Sequence, residues 1–142
     1  MNIIVEHDYG FPAEKVFDAW LDPESAAHWL FATPTGVMQR VEIDARVGGT
    51  FLIIERRNDV DVAHYGKYSI IDRPRVIKFT FSVDKFEPEG DPITLSFHSM
   101  DMGCTIRLTH EMNEKWADYA DRTRSGWADI LAGLDRTLSA NG

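Results

Sequence analysis

The hydrophobic positions of this chain change their period twice. Ile3, Val5, His7 and Tyr9 alternate with polar neighbours, which predicts a strand covered on one face. In FPAEKVFDAWLDPESAAHWL, residues 11–30, the spacing shifts, and Val16, Phe17 and Trp20 fall on one side of a helix. Pro12 suits the first turn of that helix. Pro23 would break a single long helix, because it lacks an amide hydrogen and its ring crowds the preceding turn. Two short helices meeting at Asp22-Pro23 avoid the conflict, with Asp22 capping the second and Glu24 near its amino end. Trp29 and Leu30 are expected to close that second helix.

From Thr35 to Met112 the period is two. Val37, Gln39, Val41 and Ile43 alternate, Gly48-Gly49 makes a turn, and Phe51 and Ile53 continue with the same parity. A strand is expected around Tyr65 to Ile71, ending at the turn cluster Asp72-Arg73-Pro74-Arg75. Ile77, Phe79, Phe81 and Val83 alternate with Lys78, Thr80 and Ser82, the pattern of an antiparallel strand covered on one side. An acidic, proline-bearing loop, residues 86–92, leads to Ile93, Leu95 and Phe97. Asp101-Met102-Gly103 turns the chain into Cys104, Ile106, Leu108, His110 and Met112.

The last segment returns to steps of three and four. Trp116, Tyr119, Thr123, Trp127, Ile130, Leu131, Leu134 and Leu138 predict one amphipathic helix. At ~1.5 Å per residue it would be a rod of about 36 Å, long enough to cross a sheet. Gly126 and Gly133 lie beside its apolar stripe, either for close packing on the sheet or to leave room for something else. The expected fold is α+β, in the order β-α-α-β-β-β-β-β-β-α: a curved antiparallel sheet around a long C-terminal helix. The two short helices would close one end of it, and residues 1–142 are read as one domain.

Composition narrows the function more than the fold. A formal charge of −8 argues against nonspecific nucleic-acid binding, which requires a basic surface. No apolar run approaches the ~18 residues of a membrane span, and the amino terminus lacks the basic flank of a signal peptide. One cysteine, Cys104, allows neither an internal disulfide nor a cysteine-based zinc site. A cytoplasmic protein fits these features.

Five stretches then resemble a known family: residues 11–30, DARVGGTF, YGKYSIIDRPRVIKFTF, GCTIRLTH and SGWADILAGL, in that order. Together they resemble the START-related helix-grip superfamily. More narrowly, they resemble the proteins homologous to the C-terminal domain of the activator of the heat-shock-protein-ninety ATPase. The match runs from Ile3 to Leu138. Two departures stand out: Phe11 precedes Pro12 where the family has a small residue, and His28-Trp29-Leu30-Phe31 replaces two tryptophans and a glycine. The resemblance implies a cavity between sheet and helix for apolar or aromatic molecules. The superfamily includes polyketide cyclases, aromatases and lipid carriers, so fold alone does not select an activity.

The candidate cavity-lining residues follow from parity. His7, Tyr9 and His110 share faces with apolar positions, where an imidazole could orient a ligand or act as acid or base, or could satisfy backbone groups at strand ends. Trp29, Phe31, Phe51 and Tyr65 join them, as do Phe79, Phe81 and Phe97. Met112 ends the last strand, and Trp127, Ile130 and Leu134 come from the helix. Arg46 is expected to pair with Asp44 and pin its turn, and Glu55 is the one strand carboxylate on the inner parity. His110-Glu111-Met112-Asn113-Glu114 begins like a zinc-protease motif but has glutamate in fifth place, and Gly48-Gly49 lacks the further glycine of a nucleotide loop. No metal or other cofactor is called for. The expected role is binding of a small hydrophobic ligand. A cyclase- or hydrolase-like enzyme using a cavity histidine, a chaperone ATPase regulator and a homodimer remain alternatives.

Overall fold

The computed structural model describes residues 1–83 and 90–141. β1 (Asn2–Tyr9) leads into α1 (Ala13–Leu21) and α2 (Pro23–Ala26). Six strands follow: β2 (Val37–Ile43), β3 (Thr50–Arg57), β4 (Val60–Asp72), β5 (Val76–Ser82), β6 (Asp91–Met100) and β7 (Gly103–Glu111). A short 3-10 turn, Glu114–Tyr119, precedes α3 (Ala120–Asn141). The strands form one antiparallel sheet in the order β1-β7-β6-β5-β4-β3-β2, which curves around α3. This is the α+β architecture expected from the hydrophobic pattern.

The core lies between one face of the sheet and the three helices. Ile77 and Phe79 of β5, Ile93, Leu95 and Phe97 of β6, and Cys104, Ile106 and Leu108 of β7 bury alternate positions as the period requires. Leu131, Leu134 and Leu138 complete the core from α3, each leucine gaining about 1.5–3 kcal/mol from leaving water. Tyr9 donates its hydroxyl to the Leu131 carbonyl at 2.8 Å, and His7 meets Asp135 at 2.8 Å. These two contacts tie β1 to the helix.

The Asp22-Pro23 bend is present, and Asp22 accepts from the Glu24 amide at 3.0 Å as a cap. The second helix is shorter than expected. It ends at Ala26, and Trp29 and Leu30 lie in the following turn, buried, with Trp29 edge-on to Trp20 at 4.7 Å.

Four other expectations need correction. A register shift between Met38 and Arg40 reverses the parity of β2, so Val37 is exposed while Met38, Val41 and Ile43 pack on the core. β4 begins at Val60 rather than near Tyr65, because Asn58 and Asp59, both at positive φ, form a two-residue hairpin turn after Arg57. Val83 lies beyond β5 and is exposed. The long helix starts at Ala120: Trp116 has φ −102° and ψ 17°, which breaks the helix there, and Trp116 and Tyr119 stand in solvent. Of the expected acidic loop, residues 86–89 lie outside the described residues, whereas Asp91 and Pro92 belong to β6.

Candidate functional site

The inner face of β3 carries Phe51, Ile53, Glu55 and Arg57 in alternation, so an ion pair follows directly on two core residues. Glu55 is only 1% exposed. A bare carboxylate could not remain there, and three donors hold it: the Thr33 amide at 2.7 Å, the Thr33 hydroxyl at 2.9 Å and Arg57 Nε at 2.6 Å. Burial pushes its pKa up, but the bonds from Arg57 and Thr33 outweigh that and hold it below its ordinary value. A second nitrogen of Arg57, Nη2, donates to the Phe31 carbonyl at 3.0 Å. The segment between α2 and β2 is thereby bolted to the end of β3. A Cβ at Gly36 would overlap the Glu55 carboxylate, so a larger residue there would push Glu55 off its three hydrogen bonds.

This bolted segment forms one wall of a groove of about 660 Å³; the other wall is α3. Trp29, Phe31 and Ile130 supply apolar surface. His28, Thr33 and Arg57 stand on the segment side, and Gly126, Asp129, Gly133 and Arg136 on the helix side. Positions 126, 129, 133 and 136 recur at three and four residues, so one stripe of α3 faces the groove. A smaller hollow of about 390 Å³ shares His28, Gly133 and Arg136 and continues along the helix. Among the described residues Arg136 has neither an ion pair nor a hydrogen-bond partner. Gly126 does not pack on the sheet, since a Cβ built there meets nothing within 4 Å.

Behind Phe31 lies a set of aromatic rings. Phe31 is 5% exposed and stacks on His64 (4.4 Å, 4°) and on Phe81 (4.9 Å, 11°), with Trp127 edge-on at 5.8 Å. His64 accompanies Phe51 and Phe79 on the inner face, whereas Tyr65, one residue on, alternates to the other face of β4. The Ile53 carbonyl can only accept, so His64 Nδ1, 3.1 Å away, carries the proton. Burial pushes the His64 pKa down to about 4.

The structure separates the expected cavity residues into groups. Trp29, Phe31 and Ile130 line the groove. Tyr9, Phe51, Phe79, Phe97, Met112, Trp127 and Leu134 are buried, and Phe81 is partly buried against the same core. His7 sits at the β1–α3 seam against Asp135. His110 accepts from Trp127 Nε1 at 2.9 Å through Nδ1, so its proton is on Nε2, which donates to Asp91 at 2.8 Å. Arg46 pairs with Asp44 at 2.8 Å. Among the described residues no group of three or more His, Cys, Asp or Glu side chains could hold a metal ion, and no helix is long and apolar enough to cross a membrane.

Residues 10–139 match the model of the family described as Activator of Hsp90 ATPase homolog 1-like protein. The chain belongs to that family. Solved structures share the Activator of Hsp90 ATPase homolog 1-like fold over nearly their whole length. An AHSA1-like protein from Aeromonas hydrophila is 23% identical with a TM-score of 0.86, covering 100% of this chain and 94% of that one. Protein CV1439 from Chromobacterium violaceum is 23% identical with a TM-score of 0.82, covering 96% of each chain. Protein Ms6760 from Mycobacterium smegmatis is 17% identical with a TM-score of 0.85, covering 99% of this chain and 92% of that one. At these identities the likeness establishes the fold. Comparison with curated proteins finds no match.

Within the Activator of Hsp90 ATPase homolog 1-like fold, this chain's groove uses residues that the pattern did not single out for it: His28, Thr33, Arg57, Asp129 and Arg136. For Arg57 a signal existed, because Glu55-Arg56-Arg57 places a cation two residues beyond an inward carboxylate. The buried histidine leads to a measurable expectation. Its folded pKa of about 4 lies below the unfolded value near 6.5, so the unfolded chain binds the extra proton first. Stability contributed by neutral His64 is complete above pH ~6.5 and is lost as pH falls towards 4, by up to about 3 kcal/mol. Denaturant titrations between pH 7 and 4 should show this slope, and His64→Asn, which keeps a donor near Nδ1 but does not titrate, should flatten it.

Proposed function

We propose that this chain binds a small apolar or aromatic molecule carrying an anionic group, in the groove between residues 28–34 and α3. The observation that supports this most directly is the composition of the groove. Its apolar surface comes from Trp29, Phe31, Ala32, Pro34 and Ile130. Its polar lining of His28, Thr33, Arg57, Asp129 and Arg136 sets two guanidinium groups against one carboxylate, with Arg136 unpaired among the described residues. Its volume of about 660 Å³ lies within the ~300–1,000 Å³ usual for ligand sites. The ligand's hydrocarbon would cover Trp29 and Ile130 while a carboxylate meets Arg136, a charge-assisted contact of the stronger kind. The acid–base alternative draws no support from His7 or His110. Neither lines this groove, and each has a carboxylate partner.

The test is a thermal-shift and titration panel with 2-naphthoate, decanoate and their uncharged alcohols. Binding at one hundred times Kd would stabilise the fold by about 2.7 kcal/mol, and the acids should outperform the alcohols. Arg136→Ala should remove that preference. Gly126 provides a steric control. Gly126→Ala should raise stability by about 1 kcal/mol from helix propensity, whereas Gly126→Leu should fill the groove and weaken binding. No shift with any probe would overturn the proposal.

A further inference from the structure

The ring of Phe31 occupies space that a ligand ring would suit. We infer that Phe31 is a built-in plug: a planar aromatic acid that enters the groove displaces this ring and takes its place against His64 and Phe81. The inference rests on the groove being a binding site and specifies how that site is filled. Three observations support it.

First, Phe31 sits at φ 56°, in the left-handed region that a bulky non-glycine residue seldom adopts, so a rearrangement of this turn that swings the ring out would also release backbone strain. Second, one side of it is flat. Phe31 lies nearly parallel to both His64 (4°) and Phe81 (11°), with Trp127 edge-on beside it, whereas Phe51 crosses Phe79 at 80° and Trp20 crosses Trp29 at 81°. A platform of this kind accepts any planar ring and discriminates against puckered ones.

Third, the latch that keeps the plug in place lines the same groove. Arg57 Nη2 donates to the Phe31 carbonyl, a neutral acceptor, and Arg57 also lines the groove. A ligand seated with its carboxylate on Arg136 would bring its ring to the platform, and the Arg57 bond to the Phe31 carbonyl would open as the Phe31 ring is displaced. The turn bond from the Ala32 amide to the Trp29 carbonyl is internal to the segment. Thr33, held on Glu55 and accepting from the Gly36 amide, stays in place as the hinge.

The experiment measures 2-naphthoate and cyclohexanecarboxylate binding to the wild-type chain, Phe31→Ala and Arg136→Ala, with NMR of the bound naphthoate. The plug predicts about tenfold tighter naphthoate binding to Phe31→Ala, with little gain for the puckered acid. It also predicts intermolecular NOEs from naphthyl protons to the His64 and Phe81 rings. The NOEs are read in the wild-type chain as well, so the test survives if Phe31→Ala does not fold. Naphthoate binding that depends on Arg136 but gives no contact to His64 or Phe81 and no gain in Phe31→Ala would overturn the plug and leave the groove standing. No binding to any of the three chains would overturn both.

Discussion

Glu55→Ala is expected to lower the free energy of unfolding by about 3–5 kcal/mol, the range for breaking a buried ion pair by removing one partner. Glu55 is 1% exposed and accepts three hydrogen bonds. Its removal leaves the Thr33 amide and hydroxyl without an acceptor and a cation facing a void. The Arg57 side chain keeps 32% exposure, and water reaching it places the loss towards the lower end of the range. Glu55→Gln should cost less, about 1–3 kcal/mol, because its shape is retained while one terminal atom becomes a donor facing donors. The pH dependence has a definite sign. The folded pKa of Glu55 is lowered, so its contribution is present above the unfolded carboxylate value and disappears as pH falls through the folded one. Denaturant unfolding at pH 7 measures the first effect, and amide exchange over residues 31–36 should rise with it. A loss below about 1 kcal/mol would mean that the carboxylate is already hydrated.

How this pair could have been read from the chain shows what a sequence carries. The parity of β3 placed Glu55 inward at a strand end, which is correct, because period two depends only on neighbours. Its partner Thr33 lies 22 residues earlier in an irregular segment, and no local pattern connects the two. Strands with uninterrupted alternation, such as Ile77-Phe79, were legible for the same local reason. β2 was not, since the irregularity between Met38 and Arg40 changes parity without any glycine or proline to mark it.

The long helix failed at its start in a similar way. Trp116 and Tyr119 fit the three-and-four spacing, but Asn113 caps a 3-10 turn through the Lys115 amide, and the chain bends before α3 begins. The candidate site was legible only in part. Parity says which way Phe51, Phe79 and Phe81 point but not how far their rings reach. Whether a ring-lined face encloses space or fills it depends on one residue arriving from elsewhere, here Phe31. Gly126 and Gly133 were visible in the sequence, yet only the placement of α3 shows that they face a groove.

Trp127→Ala is expected to cost about 3–5 kcal/mol or more, and its comparison with Trp127→Phe separates two effects. The indole is 3% exposed and meets Phe31 and Phe81 edge-on at 5.8 Å each, so truncation opens a cavity in the aromatic set. It also removes the donor that faces His110 Nδ1 at 2.9 Å. Trp127→Phe keeps most of the ring area and loses the donor, leaving a buried acceptor unpaired at a cost of about 1–3 kcal/mol. Replacing His110 as well, by leucine, removes the stranded acceptor. The double variant should then fall short of the sum of the single losses by the coupling energy, about 0.5–3 kcal/mol for groups in contact. Nitrogen NMR of His110 provides a readout that packing alone would not move. With Trp127 present, Nδ1 is a bonded acceptor and Nε2 carries the proton toward Asp91. In Trp127→Phe the Nδ1 resonance should shift as that bond is lost while Nε2 stays protonated. A neutral Trp127→Phe with an unmoved Nδ1 signal would mean that water replaces the indole donor, and the link from α3 through His110 to β6 would then be packing without a hydrogen bond.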